Sequence, residues 1–125
     1  MKYLGIDYGK KRVGVAISDE EGKFAFPHSV VANSANLVQN VVEICRENLV
    51  EEVVVGESKD YTGSDNSIMK DIRSFVGNLK TESGLPVHLE PEFLTTAQAE
   101  RIQGKNDMTD ASAAAIILSS YINKK

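Results

Sequence analysis

The chain is poor in several residue types, and each shortage excludes a class of structure. Its 125 residues include one cysteine, Cys45, so an internal disulfide or a zinc site built from several thiolates cannot form. There is no run of about 18 apolar residues, as a membrane-spanning helix would need. The formal net charge is −4, so the chain lacks the overall positive charge of many nucleic-acid-binding domains, although a local basic patch is compatible with it.

Size and composition indicate an ordinary globular protein. The chain is 42% hydrophobic and 26% charged, and its length suits one domain better than two. Residues 1–9, "MKYLGIDYG", lack the apolar core of a signal peptide. We therefore expect a single domain over residues 1–125, a cytoplasmic location and no membrane partner.

Alternating apolar residues predict three strands in the first quarter of the chain. Residues 2–8 and 12–18 alternate with a period of two, and residues 23–31 follow a Glu-Glu-Gly turn. Pro27 places the third strand at an edge or a bulge, because proline cannot donate to a sheet ladder. The pattern predicts an antiparallel meander.

The remaining chain alternates helical and strand patterns. We predict a helix over 34–48, capped by Asn33 or Ser34, followed by a strand over 51–56. A second helix through 68–79, ended by Gly84, is followed by a strand over 85–90. A short helix over 95–102 and a last helix through Tyr121 complete the chain. The order βββαβαβαα predicts an α/β fold with a mixed five-stranded sheet, three antiparallel strands followed by two parallel ones, flanked by helices. This is the order of elements in an RNase H-like fold.

Four acids lie where strands end or a helix begins, which is where sites form in open α/β sheets. They are Asp7, Glu57, Glu92 and Asp110. Carboxylate oxygens are preferred ligands of Mg²⁺, and two such ions can activate a water and stabilise a leaving oxygen in phosphodiester cleavage.

Each acid also suits a structural role. Asp110 favours the positive end of its helix, and Glu57 and Glu92 are compatible with a solvated loop and a turn. Asp7 is the hardest to explain structurally, because its strand is otherwise apolar and the nearby Gly5 and Gly14 leave room for something to approach.

Two polar stretches are candidate phosphate contacts. The turn after the first strand contains Lys10, Lys11 and Arg12. The simpler explanation of these charges is that the turn is exposed to solvent, and the functional one is that they contact a nucleic-acid backbone. Thr95 and Thr96 suit a helix cap, and could also present hydroxyls and a helix N-terminus to a phosphate.

Three motifs resemble the YqgF family, whose members are described as Holliday-junction resolvases and as nucleases that process pre-16S ribosomal RNA. "GIDYGKKRVGVAISD" is similar to its first motif, "EFLTTAQAER" to its middle motif and "DASAAAIIL" to its last, in the family's order. The resemblance covers nearly the whole chain.

The resemblance implies an RNase H-like fold in which Asp7, Glu92 and Asp110 are catalytic acids that hold Mg²⁺ or Mn²⁺. Lys11, Arg12, Thr95 and Thr96 are then expected to contact the substrate phosphate, while a metal-activated water attacks the phosphorus.

This chain departs from the family's pattern at two places. It has Glu57 and Ser58 where the family usually has Leu-Pro, and Pro91 and Phe93 flank Glu92 where the family has an acid and an arginine. We therefore hypothesise that Glu57 assists or replaces Glu92.

Three functions fit these residues. The leading one is a metal-dependent endonuclease acting on structured RNA or branched DNA, in pre-16S rRNA processing or Holliday-junction resolution. A second is a catalytically weak nucleic-acid-binding or ribosome-associated module on the same fold. A third, from the first motif alone, is the phosphate-binding hairpin of actin-like kinases and ATPases, which bind nucleotide between two domains. The sequence does not separate RNA from DNA, nor a monomer from a weak dimer.

Overall fold

The computed structural model describes residues 1–58, 68–92 and 109–124, without the side chains of residues 58, 92 and 109. The elements in these ranges are β1 (Tyr3–Tyr8), β2 (Arg12–Ser18), β3 (Ala25–Ala32), α1 (Leu37–Glu47), β4 (Glu52–Ser58), α2 (Met69–Ser83), β5 (Val87–Glu92) and α3 (Thr109–Asn123). The predicted short helix over 95–102 lies outside the described residues.

The strands form one five-stranded sheet in the order β3-β2-β1-β4-β5. β1 pairs antiparallel with β2, and β2 antiparallel with β3, whereas β4 lies parallel to both β1 and β5. The predicted mixed sheet, with three antiparallel strands followed by two parallel ones, is confirmed.

One face of the sheet is covered by α1 and α2. The apolar residues at alternate positions of the central strands, among them Leu4, Ile6, Val53 and Val55, form a buried core with the inward sides of both helices. Both helices carry apolar residues at helical spacing, and burying that stripe provides most of their stability. Gly84 ends α2 with a φ of 70°, as predicted.

Among the described elements, α3 covers the opposite face, where it forms a smaller core with Tyr3, Ala16 and Val54. Gly5 and Gly14 lie under this helix. A Cβ added to Gly14 would lie 1.9 Å from the carbonyl oxygen of Asp110, and one on Gly5 would lie 2.7 Å from Cβ of Leu118. The expected approach to these two glycines is therefore made by the protein's own last helix.

Strands β4 and β5 are longer at their carboxyl ends than predicted. Glu57 pairs with Pro91 and Ser58 with Glu92, so both glutamates lie within strands, and the expectation that they follow their strands was wrong. Pairing with a parallel neighbour overrides the low strand propensity of these polar residues and proline.

The start of α1 also differs from the prediction. The helix begins at Leu37 after Asn36, whose side chain makes no capping bond, so neither Asn33 nor Ser34 is the cap. Ser34 lies in the preceding turn, where its carbonyl oxygen accepts a hydrogen bond from Leu37 at 3.1 Å. The Asn33 side chain is engaged by the β1–β2 turn.

Strand β3 is an edge strand with an irregular ladder. The register shifts between Val15, which pairs with Ser29, and Ala16, which pairs with Pro27. Both halves of the expectation for Pro27 are confirmed, since it lies at a sheet edge and beside a bulge. Across the described ranges, no helix has the length and apolar character needed to cross a membrane.

Replacing Gly14 with alanine is expected to destabilise the protein by about 1–3 kcal/mol, because the new methyl group would collide with the backbone of α3. Gly77→Ala in α2 is the matched control, since a Cβ there meets nothing within 4 Å. That substitution should stabilise by about 0.5–1 kcal/mol through helix propensity. Urea unfolding measures both, and equal stabilities of Gly14→Ala and the parent would contradict the close approach of α3.

The buried Cys45 is expected to make stability fall at alkaline pH. Burial raises the pKa of the Cys45 thiol from its usual value of 9.0 to about 11. Below pH 9 the thiol keeps its proton in both the folded and the unfolded chain. Between pH 9 and 11 the unfolded chain loses this proton while the folded chain keeps it, so the free energy of unfolding falls as pH rises. Urea midpoints measured from pH 8 to 10.5 should decline more steeply for the parent than for Cys45→Ala, and parallel curves would refute this.

Candidate active site

Asp7 lies near the carboxyl end of β1, directly opposite Gly14 of β2. Strand alternation puts it on the same face as Tyr3 and Gly5, which is the face that α3 covers. Its side chain is half-buried. An acid in the middle of a sheet thus lies on the face against which α3 packs.

Asp110 lies in the first turn of α3. Its backbone carbonyl lies against Gly14, the residue that pairs with Asp7. The two acids are far apart in sequence, yet the backbone of Asp7 pairs with Gly14 and the backbone carbonyl of Asp110 packs against the same glycine. They are the predicted site residues that the fold brings together.

The basic turn between β1 and β2 lies beside these acids. Arg12, the first residue of β2, forms an ion pair with Asp110, with Nε and Oδ2 3.2 Å apart. The Arg12 side chain is 68% exposed and that of Asp110 is 33% exposed. Lys10 and Lys11 are exposed as well. The turn therefore contributes positive charge at the edge of an acidic pair.

Asn33 holds the backbone of this turn. Its side-chain amide donates to the carbonyl oxygen of Gly9 at 2.8 Å, and its backbone N–H donates to that of Lys11 at 3.0 Å. Gly9 itself lies so close to the Arg12 carbonyl oxygen that a Cβ would be 2.5 Å from it. The backbone that carries the basic residues is thus fixed at both ends, while their side chains reach into solvent.

The two candidate glutamates occupy strand positions that belong to opposite faces of the sheet. Glu57 shares its face of β4 with Val53 and Val55, which belong to the core under α1 and α2. Glu92 occupies the next alternate position of β5 after His88 and Glu90, whose side chains contact α3. The side chain of Glu92 lies outside the description, as do Thr95 and Thr96 entirely. Over the described residues, no three His, Cys, Asp or Glu side chains are grouped as a metal site would require.

A clasp between β5 and α3 was not foreseen from the sequence. The buried carboxylate of Glu90 accepts a hydrogen bond from the Ser120 hydroxyl at 2.9 Å and pairs with Nζ of Lys124 at 2.6 Å. His88 bonds to Glu52 at 2.6 Å and stacks on Tyr121, with ring centroids 5.4 Å apart. The signal was the alternation of His88 and Glu90 in a strand whose neighbouring positions are apolar. The clasp anchors the second half of the helix that carries Asp110.

Asp19, the last residue of the first motif, has a structural role. Its Oδ1 accepts hydrogen bonds from the backbone N–H groups of Phe24 and Lys23 at 3.0 and 2.7 Å. The bond from Phe24 is the main reason that the pKa of Asp19 lies below its usual value. This residue closes the turn between β2 and β3, at the opposite end of the sheet from Asp7.

The mixed five-stranded sheet with helices on its faces is the architecture of the RNase H-like class. Among solved structures, the chain is similar to Thermus thermophilus RuvC in complex with a Holliday junction substrate, with a TM-score of 0.65, 20% identity, and coverage of 99% of this chain and 94% of that one. It is also similar to the fowlpox virus resolvase in complex with Holliday junction DNA, with a TM-score of 0.63 at 14% identity, covering 99% and 98% of the two chains. These likenesses establish the fold.

A family model described as RuvX, Holliday junction resolvase, matches residues 1–124, and the chain belongs to this family of nucleases. A relative from Nitratidesulfovibrio vulgaris strain Miyazaki F, named "Putative pre-16S rRNA nuclease", is 37% identical over 98% of this chain and 94% of its own length. One of the same name from Desulforudis audaxviator is 33% identical over 100% and 96%. The resemblance stated from the three motifs is thereby confirmed.

Two serines of α3 should respond oppositely to alanine. The Ser112 hydroxyl is buried without a hydrogen-bond partner among the described residues, so Ser112→Ala should stabilise by about 1 kcal/mol. Ser120→Ala removes the hydroxyl that donates to Glu90 and should destabilise by about 1–2 kcal/mol. The gain in helix propensity is the same in both, so thermal or urea unfolding compares them directly. Equal effects of the two substitutions would argue against the clasp.

Proposed function

We propose that this chain is a metal-dependent endonuclease that hydrolyses phosphodiester bonds in structured nucleic acid. Precursor 16S ribosomal RNA is the favoured substrate, because the two relatives compared are named for it, and Holliday junctions are the second candidate. The observation that carries the proposal is the convergence of Asp7 and Asp110 on Gly14. Processing of ribosomal RNA would place the protein in the cytoplasm.

The donor set fits Mg²⁺ or Mn²⁺. Asp7 and Asp110 offer hard carboxylate oxygens that are partly accessible to solvent, and such cations keep several water ligands. A bound ion would supply a nucleophilic water and stabilise the charge that develops on the phosphate. The chain's part would be to hold the two carboxylates near the end of β1, and the close packing of α3 on Gly14 supports this role.

Glu92 is the third acid that we propose. Alternation along β5 supports it, because His88 and Glu90 at the preceding alternate positions contact α3, the helix that carries Asp110. Glu57 is the weaker candidate, since its position in β4 belongs with Val53 and Val55 on the other face. The alternation along the two strands thus supports Glu92 over Glu57 as the third acid.

The substrate phosphate would be bound by Lys11 and Arg12 from the basic turn and by the Thr95-Thr96 segment. Lys11 and Arg12 are exposed, and Asn33 fixes the backbone of the turn that carries them. Their side chains can therefore reach a nucleic-acid strand that passes Asp7. Arginine in particular binds phosphate through two parallel hydrogen bonds. The threonine contribution rests on the family resemblance alone.

Cleavage assays with conservative variants test the acids. We expect Asp7→Asn, Asp110→Asn and Glu92→Gln each to lower Mg²⁺-dependent cleavage by about a hundredfold or more, because losing a metal ligand removes several kcal/mol of transition-state stabilisation. Glu57→Gln is the matched control and should retain nearly full activity. The substrates are a pre-16S rRNA fragment that spans a mature end and a four-way DNA junction, each with and without EDTA.

Three outcomes would change the proposal. A large loss in Glu57→Gln with full activity in Glu92→Gln would exchange the two glutamates. Cleavage that survives EDTA would refute metal dependence. Tight binding of both substrates without cleavage of either would favour the alternative of a nucleic-acid-binding module, for which the substitutions Pro91 and Phe93 beside Glu92 are the sequence argument.

A further inference from the structure

Arg12 has two potential anionic partners, the carboxylate of Asp110 and a substrate phosphate, and the structure shows it paired with Asp110. Its Nε lies 3.2 Å from Oδ2 of Asp110, one of the two acids that flank Gly14. The same arginine heads the strand that follows the basic turn, where a nucleic-acid backbone would pass. A guanidinium that neutralises Asp110 is engaged at that moment with the protein and not with a phosphate.

A divalent cation and Arg12 would compete for Asp110. Both would bind the carboxylate oxygens of Asp110. A doubly charged ion beside the Arg12 guanidinium would also repel it directly at short range. The Arg12 side chain is 68% exposed, so its ion pair with Asp110 is weak. A cation can therefore displace it at little cost, and the released guanidinium finds in phosphate a partner that accepts two parallel hydrogen bonds.

The exchange needs no movement of the backbone. Asn33 bonds to the carbonyl oxygens of Gly9 and Lys11, which fixes the turn up to the residue before Arg12. Only the exposed side chain must rotate, and exposed side chains change rotamer within nanoseconds. The backbone of Arg12 can therefore stay in place while its side chain exchanges Asp110 for a phosphate.

We propose that Arg12 occupies Asp110 in the metal-free protein and moves to a substrate phosphate when the cation binds, so that divalent cation and nucleic acid bind with positive coupling. The inference rests on the proposed function, because it requires Asp110 to be a metal ligand. By linkage, the factor by which metal strengthens nucleic-acid binding equals the factor by which nucleic acid strengthens metal binding.

Binding of Mn²⁺ alone tests the first half. Free Mn²⁺ is measured by electron paramagnetic resonance while each protein is titrated, with no nucleic acid present. Lys10→Gln is the control, because it removes the same charge from the same turn, and Lys10 makes no ion pair with any described residue. Arg12→Gln should bind Mn²⁺ about two- to fivefold more tightly than Lys10→Gln, as expected when a competing exposed ion pair is removed.

Nucleic-acid binding tests the second half. Fluorescence anisotropy with a labelled four-way DNA junction is recorded with and without Ca²⁺, which also takes carboxylate oxygens as ligands. Ca²⁺ should strengthen binding severalfold in the parent and in Lys10→Gln, and by a clearly smaller factor in Arg12→Gln. Circular dichroism and thermal unfolding verify that each variant is folded.

The outcomes separate this inference from the proposed function. If Asp7→Asn and Asp110→Asn lose Mn²⁺ binding while Arg12→Gln and Lys10→Gln bind it equally, the metal site stands and the exchange of Arg12 is refuted. Weaker Mn²⁺ binding by Arg12→Gln than by Lys10→Gln also refutes it. If Asp110→Asn binds Mn²⁺ as the parent does, Asp110 is not a ligand, and the metal site and the exchange fail together.

Discussion

The contact between the backbone of α3 and Gly14 is the constraint on which the candidate site depends. Gly5, Gly14 and Ala16 place little or no side chain between the sheet and α3, so the helix backbone lies where a Cβ on Gly14 would collide with it. This approach brings the first turn of α3, and Asp110 with it, to the strand position opposite Asp7. The ion pair with Arg12 and the burial of Ala114 and Leu118 follow from the same closeness.

The order of the elements could be predicted because each central element carries a strong periodic signal. Alternation in β1 and β2, the short apolar run of β4 and the helical stripes of α1 and α2 all correspond to buried faces. Asp7 could be singled out for a related reason, since an acid in an apolar strand departs from the pattern around it. Asp110 could be listed as a candidate from its position at the start of a helix, but only the family resemblance favoured a catalytic role over a structural one, because an acid in the first turn of a helix is ordinary.

The ends of β4 and β5 could not be predicted, and this affected the assignment of the acids. Glu57, Pro91 and Glu92 have low strand propensity, and only pairing between the two strands reveals that they extend the sheet. Once they lie in strands, alternation separates the two glutamates, which no loop assignment could do. The clasp of Glu90 with Ser120 and Lys124 was hidden in the same way, because its members are far apart in sequence and each alone resembles a surface residue.

The separation of Asp7 and Asp110 along the chain has a consequence for biosynthesis. Strand β1 leaves the ribosome before the other described elements, whereas α3 is the last of them to emerge. Contacts between elements so distant in sequence form late and slowly, because loop closure has to precede them. A partly synthesised chain would contain Asp7 without Asp110, so the two acids proposed as the catalytic pair can come together only after α3 has been translated. Such a nuclease would be inactive while it is still being translated.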